Sequence, residues 1–338
     1  MKKKFIRIFR NILFLAAGVA LFYWIYKDMD MQQLKNAAGN LKWGWIIVSL
    51  ILGTLSNLSR AFRWMMLLAP TGYRVKWYNS FLAVLVLYLV NLIIPRAGEL
   101  ARCSVLTRYE QVPFPKAIGT VVVERITDLV IMLILAAIIF SLNLSTIKEF
   151  FLEHPEFGNN IRAVLTFRNL IIGIFAIAVL AVLYLLWARK SGNSLMIKLR
   201  KIKDDFIAGM RSISQVSNIW IYLGHSLFIF VMWLLMLYSV FLAYEPTAHL
   251  GLRVAMITFL MGGLAMLAPV QGGIGPWHFM VYETLFIFGI TKAHGKIFAL
   301  IAHTSTNLIY LVIGLIALLL LPIVNSGFRK KRVKQVTD

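Results

Sequence analysis

Long apolar runs recur along the chain, separated by short polar segments. Six of them, at 9–26, 43–66, 118–142, 168–188, 219–243 and 297–323, hold few interior charges. Each is long enough to cross a bilayer, whose hydrocarbon core of about 30 Å takes roughly 20 helical residues. Two further runs are interrupted. The run at 77–94 breaks at Ile94-Pro95-Arg96-Ala97-Gly98 and continues as an amphipathic segment to residue 110. The run at 252–268 breaks at Pro269-Val270-Gln271-Gly272-Gly273-Ile274-Gly275-Pro276 and continues over 277–290. Pro and Gly clusters stop helices, so each region is predicted to be two short helices joined by a turn. Leu195, Leu199, Ile202, Phe206, Met210 and Ile213 follow helical spacing, with Lys198, Lys201, Lys203 and Asp205 between them. That pattern predicts an amphipathic helix on the inner leaflet, with a solvated basic connector as the alternative.

Composition supports the membrane reading. Of 338 residues 60% are hydrophobic and 14% charged, with a mean hydropathy of +0.78. Soluble domains are about 45–50% apolar and about 25% charged, which excludes a water-soluble enzyme. The formal charge is +21, from 35 Lys and Arg against 14 Asp and Glu. In a membrane chain this surplus marks cytoplasmic loops and not nucleic acid. Lys2, Lys3, Lys4, Arg7 and Arg10 place the N-terminus inside, and Arg329, Lys330, Lys331, Arg332 and Lys334 place the C-terminus there. The 189–211 loop, with Arg189, Lys190, Lys198, Arg200, Lys201, Lys203 and Arg211, is inside as well. The 143–166 loop holds Glu149, Glu153 and Glu156 against Lys148 and Arg162 and faces outward, as does 27–42. The first apolar run has no small-residue cleavage site and is expected to be a retained span.

Following the chain through these sides, 77–110 starts and ends inside, and 252–290 starts and ends outside. The expected fold is therefore an all-α polytopic membrane protein with six full spans and two re-entrant broken hairpins. Residues 9–142 and 168–323 form two halves of opposite orientation, an inverted-topology repeat. Residues 189–217 are the cytoplasmic amphipathic connector, and 1–338 form one integral membrane domain. If each hairpin is a pair of full spans, the count becomes eight to ten.

Ionisable groups inside a membrane each need a reason, since one costs on the order of 2.5–3.5 kcal/mol on insertion scales. Arg96, Glu99 and Arg102 are spaced three apart at the first break, giving one helical face an Arg–Glu–Arg ladder. With the backbone N–H groups of the following helix they make a phosphate receptor, or else a pairing that seats the hairpin. Glu124, Arg125 and Asp128 lie early in span 118–142 and can answer Arg96 or Arg102 or form an ion-pair lock. Arg60 and Arg63, with Ser56, Asn57 and Ser59, lie late in span 43–66. They either meet lipid phosphate or, for Arg60, snorkel to the interface. Gly272, Gly273 and Gly275 allow an unwound turn beside His278 and Glu283, and His303 and Asn307 share a face in the last span. His278 and Glu283, five apart, do not share a helical face, and Cys103 is the sole cysteine. No metal or cofactor is expected.

These segments resemble a known family. Pro95-Arg96-Ala97-Gly98-Glu99-Leu100-Ala101-Arg102 is similar to its "P-x-R-x-G-E-x-x-R" segment. Glu124-Arg125-Ile126-Thr127-Asp128 is similar to "E-R-x-x-D", and Gly272-Gly273-Ile274-Gly275 to its "P-G-G-x-G" turn, although Gln271 replaces the proline. Ser59-Arg60-Ala61-Phe62-Arg63-Trp64 resembles its early Arg-bearing span. The family is the lysylphosphatidylglycerol synthase transmembrane region, a flippase-like family that includes the flippase half of the bacterial multiple peptide resistance factor. The resemblance implies an inner-membrane protein that translocates a phospholipid or lipid-linked substrate. No aminoacyl-transferring synthase domain is present, so synthesis of lysyl-lipid, and enzyme activity generally, are not expected. The expected partners are membrane lipids, anionic or polyprenyl-linked, with a lipid-modifying enzyme or a second copy of the chain as further candidates. Two other functions stay open: transport of a small organic anion, and a non-transporting role beside a lipid-modifying or glycosyl-transferring enzyme.

Overall fold

A computed structural model describes residues 19–94, 96–142, 193–266 and 270–326. Span 168–188, the start of the first span, Pro95 and the basic termini lie outside the described residues. Within them the chain is helical, with no strand. Residues 19–26 are helical and are followed by α1 (Met31–Gly39), which Asp30 caps by accepting a 2.8 Å hydrogen bond from the Gln32 N–H.

Among the described residues four helices are long and apolar enough to cross a membrane. They are α2 (Trp43–Leu68), α5 (Phe114–Leu142), α7 (Ile219–Ala243) and α11 (Lys292–Val324). Between them lie the shorter α3 (Trp77–Ile93), α4 (Gly98–Tyr109), α9 (Leu252–Ala265) and α10 (Pro276–Ile287). At 1.5 Å per residue these four are about 18–25 Å long, less than the hydrocarbon core. A basic helix, α6 (Asn193–Arg211), precedes α7, and the single turn α8 (Glu245–Ala248) follows it.

The packing uses small residues wherever backbones approach. On α2, Ser49, Gly53, Ser56, Arg60 and Arg63 repeat at four and three residues and are buried along one stripe. The upper part of that stripe lies on α7. The Ser49 hydroxyl donates to the Met236 carbonyl at 2.9 Å, and a Cβ on Gly53 would sit 2.8 Å from Met236 Sδ. In lipid, where apolar helices gain little by pairing, such small and hydroxyl side chains are what bring helices together. The same phase carries Arg60 and Arg63 into the bundle. Arg60 is 2% exposed, so it does not snorkel.

On the other side, α11 lies along α3. Gly314 sits where a Cβ would be 2.6 Å from Leu89 Cβ, and Tyr88 stacks on Tyr310 with ring centroids 4.3 Å apart. Asn79 and Asn325 exchange amide hydrogen bonds of 2.9 and 2.8 Å.

Both breaks have a backbone cause. Ile94 is extended, as a residue before proline must be, and Arg96 is left-handed at φ 61°. Asn91 Oδ1 then accepts from the Gly98 N–H at 2.8 Å, so α3 caps α4. Only glycine fits there, because a Cβ on Gly98 would fall 2.1 Å from the Leu87 carbonyl oxygen. The second break turns on Gly272, Gly273 and Gly275 at φ 55°, 74° and 91°, and Pro276 opens α10. Helix α6 is not a free surface helix along its whole length. Gly209 crosses α5 at Gly119, where either Cβ would meet the other glycine's Cα at 2.9 Å, while Ile202 and Met210 stay exposed.

Gly98→Ala should lower stability by about 1–3 kcal/mol, because the hairpin cannot close over the added methyl. Gly224→Ala, with open space at its Cβ, should be neutral or raise stability by about 0.5–1 kcal/mol. Thermal unfolding of the detergent-solubilised chain separates the two.

Candidate functional site

Three helices bring seven charged side chains together. Helix α2 supplies Arg60 and Arg63, α4 supplies Glu99 and Arg102, and α5 supplies Glu124, Arg125 and Asp128. Spacings of three or four residues place each set on one face. Glu124 is fully buried and meets all four guanidiniums. Its Oε1 lies 2.9 Å from Arg63 Nη2, 3.2 Å from Arg125 Nη2 and 3.7 Å from Arg60 Nε, and its Oε2 lies 2.8 Å from Arg102 Nη2.

The other two carboxylates complete the network. Asp128 accepts from Arg63 Nη1 at 2.6 Å and lies 2.9 Å from Arg125 and 3.7 Å from Arg60. Glu99 lies 2.6 Å from Arg102 Nε and 3.5 Å from Arg125 Nε. Ser226 of α7 accepts from Arg63 at 3.0 Å. Aromatic faces line the rest. Arg102 lies 4.5 Å over Trp64, whose indole N–H donates to Thr120 at 2.9 Å, and Arg60 lies 4.9 Å from the Trp233 ring.

Of the groups singled out from sequence, Arg60, Arg63, Glu99, Arg102, Glu124, Arg125 and Asp128 converge here. Arg102 is committed to Glu99 and Glu124. Arg96 lies in the turn before α4, outside the helical face that pairs Glu99 with Arg102. His278, His303 and Asn307 gather at a second site around the glycine turn. His303 Nε2–H donates to the Gly272 carbonyl at 2.7 Å, and His303 Nδ1 lies 2.9 Å from Asn307 Nδ2. Those partners fix the tautomer. His278 packs against His303 at 4.3 Å between centroids, with Phe22, Tyr26 and Trp277 around it. Glu283 stands apart and pairs with Lys292 at 3.2 Å.

The two sites are joined by aromatic residues that sequence spacing did not single out. A Cβ on Gly272 would lie 3.5 Å from Leu92 and 3.9 Å from Asn307. One turn along α3 from Leu92 is Tyr88, and one turn along α11 from Asn307 is Tyr310, and these two stack. The Arg60 guanidinium lies 5.8 Å from the Tyr88 ring centroid. A continuous chain of packed side chains therefore links the glycine turn to the charge cluster. Among the described residues no group of three or more His, Cys, Asp or Glu side chains is placed to hold a metal ion.

The family model described as the lysylphosphatidylglycerol synthase TM region matches residues 11–314. The chain belongs to that family. Within the lysylphosphatidylglycerol synthase TM family, the chain is a multi-pass integral membrane protein, as its four long apolar helices require. UPF0104 membrane protein MJ1595 of Methanocaldococcus jannaschii is 28% identical to it over 131 residues. That alignment covers 38% of this chain and 39% of the relative's length. No solved structure matches the chain.

Removing one partner from a buried charge network leaves the others uncompensated. Glu124→Gln should therefore destabilise the protein by about 3–5 kcal/mol. Arg125, whose side chain at 42% exposed is the least buried of the four arginines, leaves the remaining three guanidiniums matched to three carboxylates when removed, and Arg125→Gln should cost less than Glu124→Gln. Equilibrium unfolding of both variants in one detergent tests the contrast.

Proposed function

We propose that this chain is a lipid translocase that moves a phospholipid or lipid-linked substrate between leaflets. In this reading α3–α4 and α9–α10 are re-entrant hairpins entering from opposite sides, and α2 with α5 corresponds to α7 with α11 in an inverted repeat. The termini face the cytoplasm, in the inner membrane. The observation that carries the proposal is the meeting of the two breaks. The glycine turn of the second hairpin lies against Leu92, at the tip of the first, and His303 holds its backbone.

Inverted repeats with broken helices bind substrate near the midplane, where unwound backbone and half-helix ends converge. Here the stacked Tyr88 and Tyr310 separate the meeting point from a cluster of net positive charge, which suits a phosphate-bearing head group. The substrate's acyl chains stay in lipid beside the exposed apolar faces of α5 and α11, such as Leu133 and Leu319. Family membership supports a substrate drawn from lipid.

The test is leaflet exchange of labelled lipids in vesicles carrying the purified full-length chain. Exchange above protein-free vesicles is expected for at least one anionic or lipid-linked substrate. Its absence for every lipid tried overturns the reading. Gly272→Val places a β-branched residue at a left-handed position, which costs about 1–3 kcal/mol, and should slow exchange about tenfold or more.

A further inference from the structure

The charge cluster is unbalanced. Four guanidiniums face three carboxylates, which leaves one positive charge among the described side chains. Arg63, Arg102 and Arg125 each approach a carboxylate oxygen within 2.9 Å. Arg60 comes no closer than 3.7 Å to either Glu124 or Asp128. Its side chain is 3% exposed, and its Nε and Nη2 are buried with no hydrogen-bond partner. The surplus charge therefore resides on Arg60.

Its surroundings are also short of partners. Asn57, one turn earlier on α2 and fully buried, faces the Tyr310 hydroxyl, and neither of its amide atoms makes a close, well-aligned hydrogen bond. The Tyr88 hydroxyl, whose ring flanks Arg60, is buried without a partner as well. Buried polar groups are nearly always satisfied, so three such side chains in one place call for a missing acceptor. Trp233 and Tyr88 take the aromatic contacts of the guanidinium, and its N–H groups remain for an anion.

The geometry points to Arg60, Asn57 and Tyr88 as the seat of one phosphodiester monoanion, held between α2 and α3 beside Trp233 of α7. This rests on the translocase reading for the source of the ligand, and it deepens that reading by naming the phosphate's position and charge. A diester carries a single negative charge and cancels the surplus. A phosphomonoester dianion or a pyrophosphate overfills it and leaves net negative charge in a low-dielectric site, where uncompensated charge is expensive. The oxygens of a tetrahedral group also give the Arg60, Asn57 and Tyr88 donors more acceptors than a halide does. Arg102, paired with Glu99 at 2.6 Å and with Glu124 at 2.8 Å, serves to fix the cluster, and Arg60, 3.7 Å from its nearest carboxylates, receives the ligand.

The test is a binding titration of the full-length chain in a zwitterionic detergent, followed by calorimetry. The probes are short-chain phosphatidylglycerol, glycerophosphoglycerol without acyl chains, short-chain phosphatidic acid as the monoester, and sodium chloride. Saturable binding of a diester, tighter than the monoester and not displaced by chloride at matched ionic strength, is expected. A preference for the acylated probe identifies a lipid source, and equal binding of the deacylated one identifies a soluble diester. Arg60→Gln should weaken diester binding about tenfold or more. Without ligand it should melt at or above the wild-type temperature, because it removes an unmatched buried charge. Tyr88→Phe should weaken binding several-fold without loss of stability.

Unchanged affinity in Arg60→Gln, a monoester bound as tightly as the diester, or a lower melting temperature for ligand-free Arg60→Gln overturns the assignment. Vesicle exchange separates this from the translocase reading. Arg60-dependent binding without lipid exchange removes the translocase and keeps the site. Exchange that Arg60→Gln leaves intact does the reverse.

Discussion

One buried carboxylate holds the first half of this protein together. Glu124 is fully buried and meets guanidiniums from α2, α4 and α5 itself, so none of the three helices can move without uncovering a charge. Apolar packing does not do this for α5. Its hydropathic stretch is only 6% buried within the described residues, and Leu129, Leu133 and Ile134 are exposed. The helix is instead fixed by polar contacts along its first turns and by the close crossing of Gly119 with Gly209. In a solvent as apolar as leucine, side-chain burial discriminates poorly between partners. Charge pairing and backbone approach carry the specificity.

The breaks follow the same principle at the level of backbone. Gly98 is needed because α4 starts directly on the α3 carbonyls, and Gly272, Gly273 and Gly275 are needed because the second turn runs through left-handed conformations. The chain there has lost helical hydrogen bonds and recovers them from side chains, Asn91 at the first break and His303 at the second. Buried irregular backbone requires such internal partners.

The elements that depend on local chemistry were readable in sequence. The 43–66 run became Trp43–Leu68, and both breaks fell at the Pro and Gly clusters. Glu99 with Arg102 and His303 with Asn307 were readable as well, because helical spacing reports neighbours on one face. Contacts between helices were not. Nothing in spacing says that Glu124 faces Arg63 across 61 residues, or that Tyr88 and Tyr310 stack. Tyr88, Trp233 and Tyr310 each resemble ordinary interfacial or lipid-facing aromatics until the helices are assembled. The fate of Arg60 was in principle visible in the four-three repeat of Ser49, Gly53 and Ser56, since a stripe of small residues marks the side that meets another helix. The stripe could not say that the other helix was α7.

The mismatch of four guanidiniums with three carboxylates has an electrical consequence. A unit charge carried across a full 100 mV potential changes free energy by about 2.3 kcal/mol. The cluster's own side chains bear that unit charge, and the monoanion proposed for Arg60 would cancel it. Any displacement of the cluster's side chains along the membrane normal is therefore sensitive to voltage, and on the proposed binding the anion would remove most of that sensitivity.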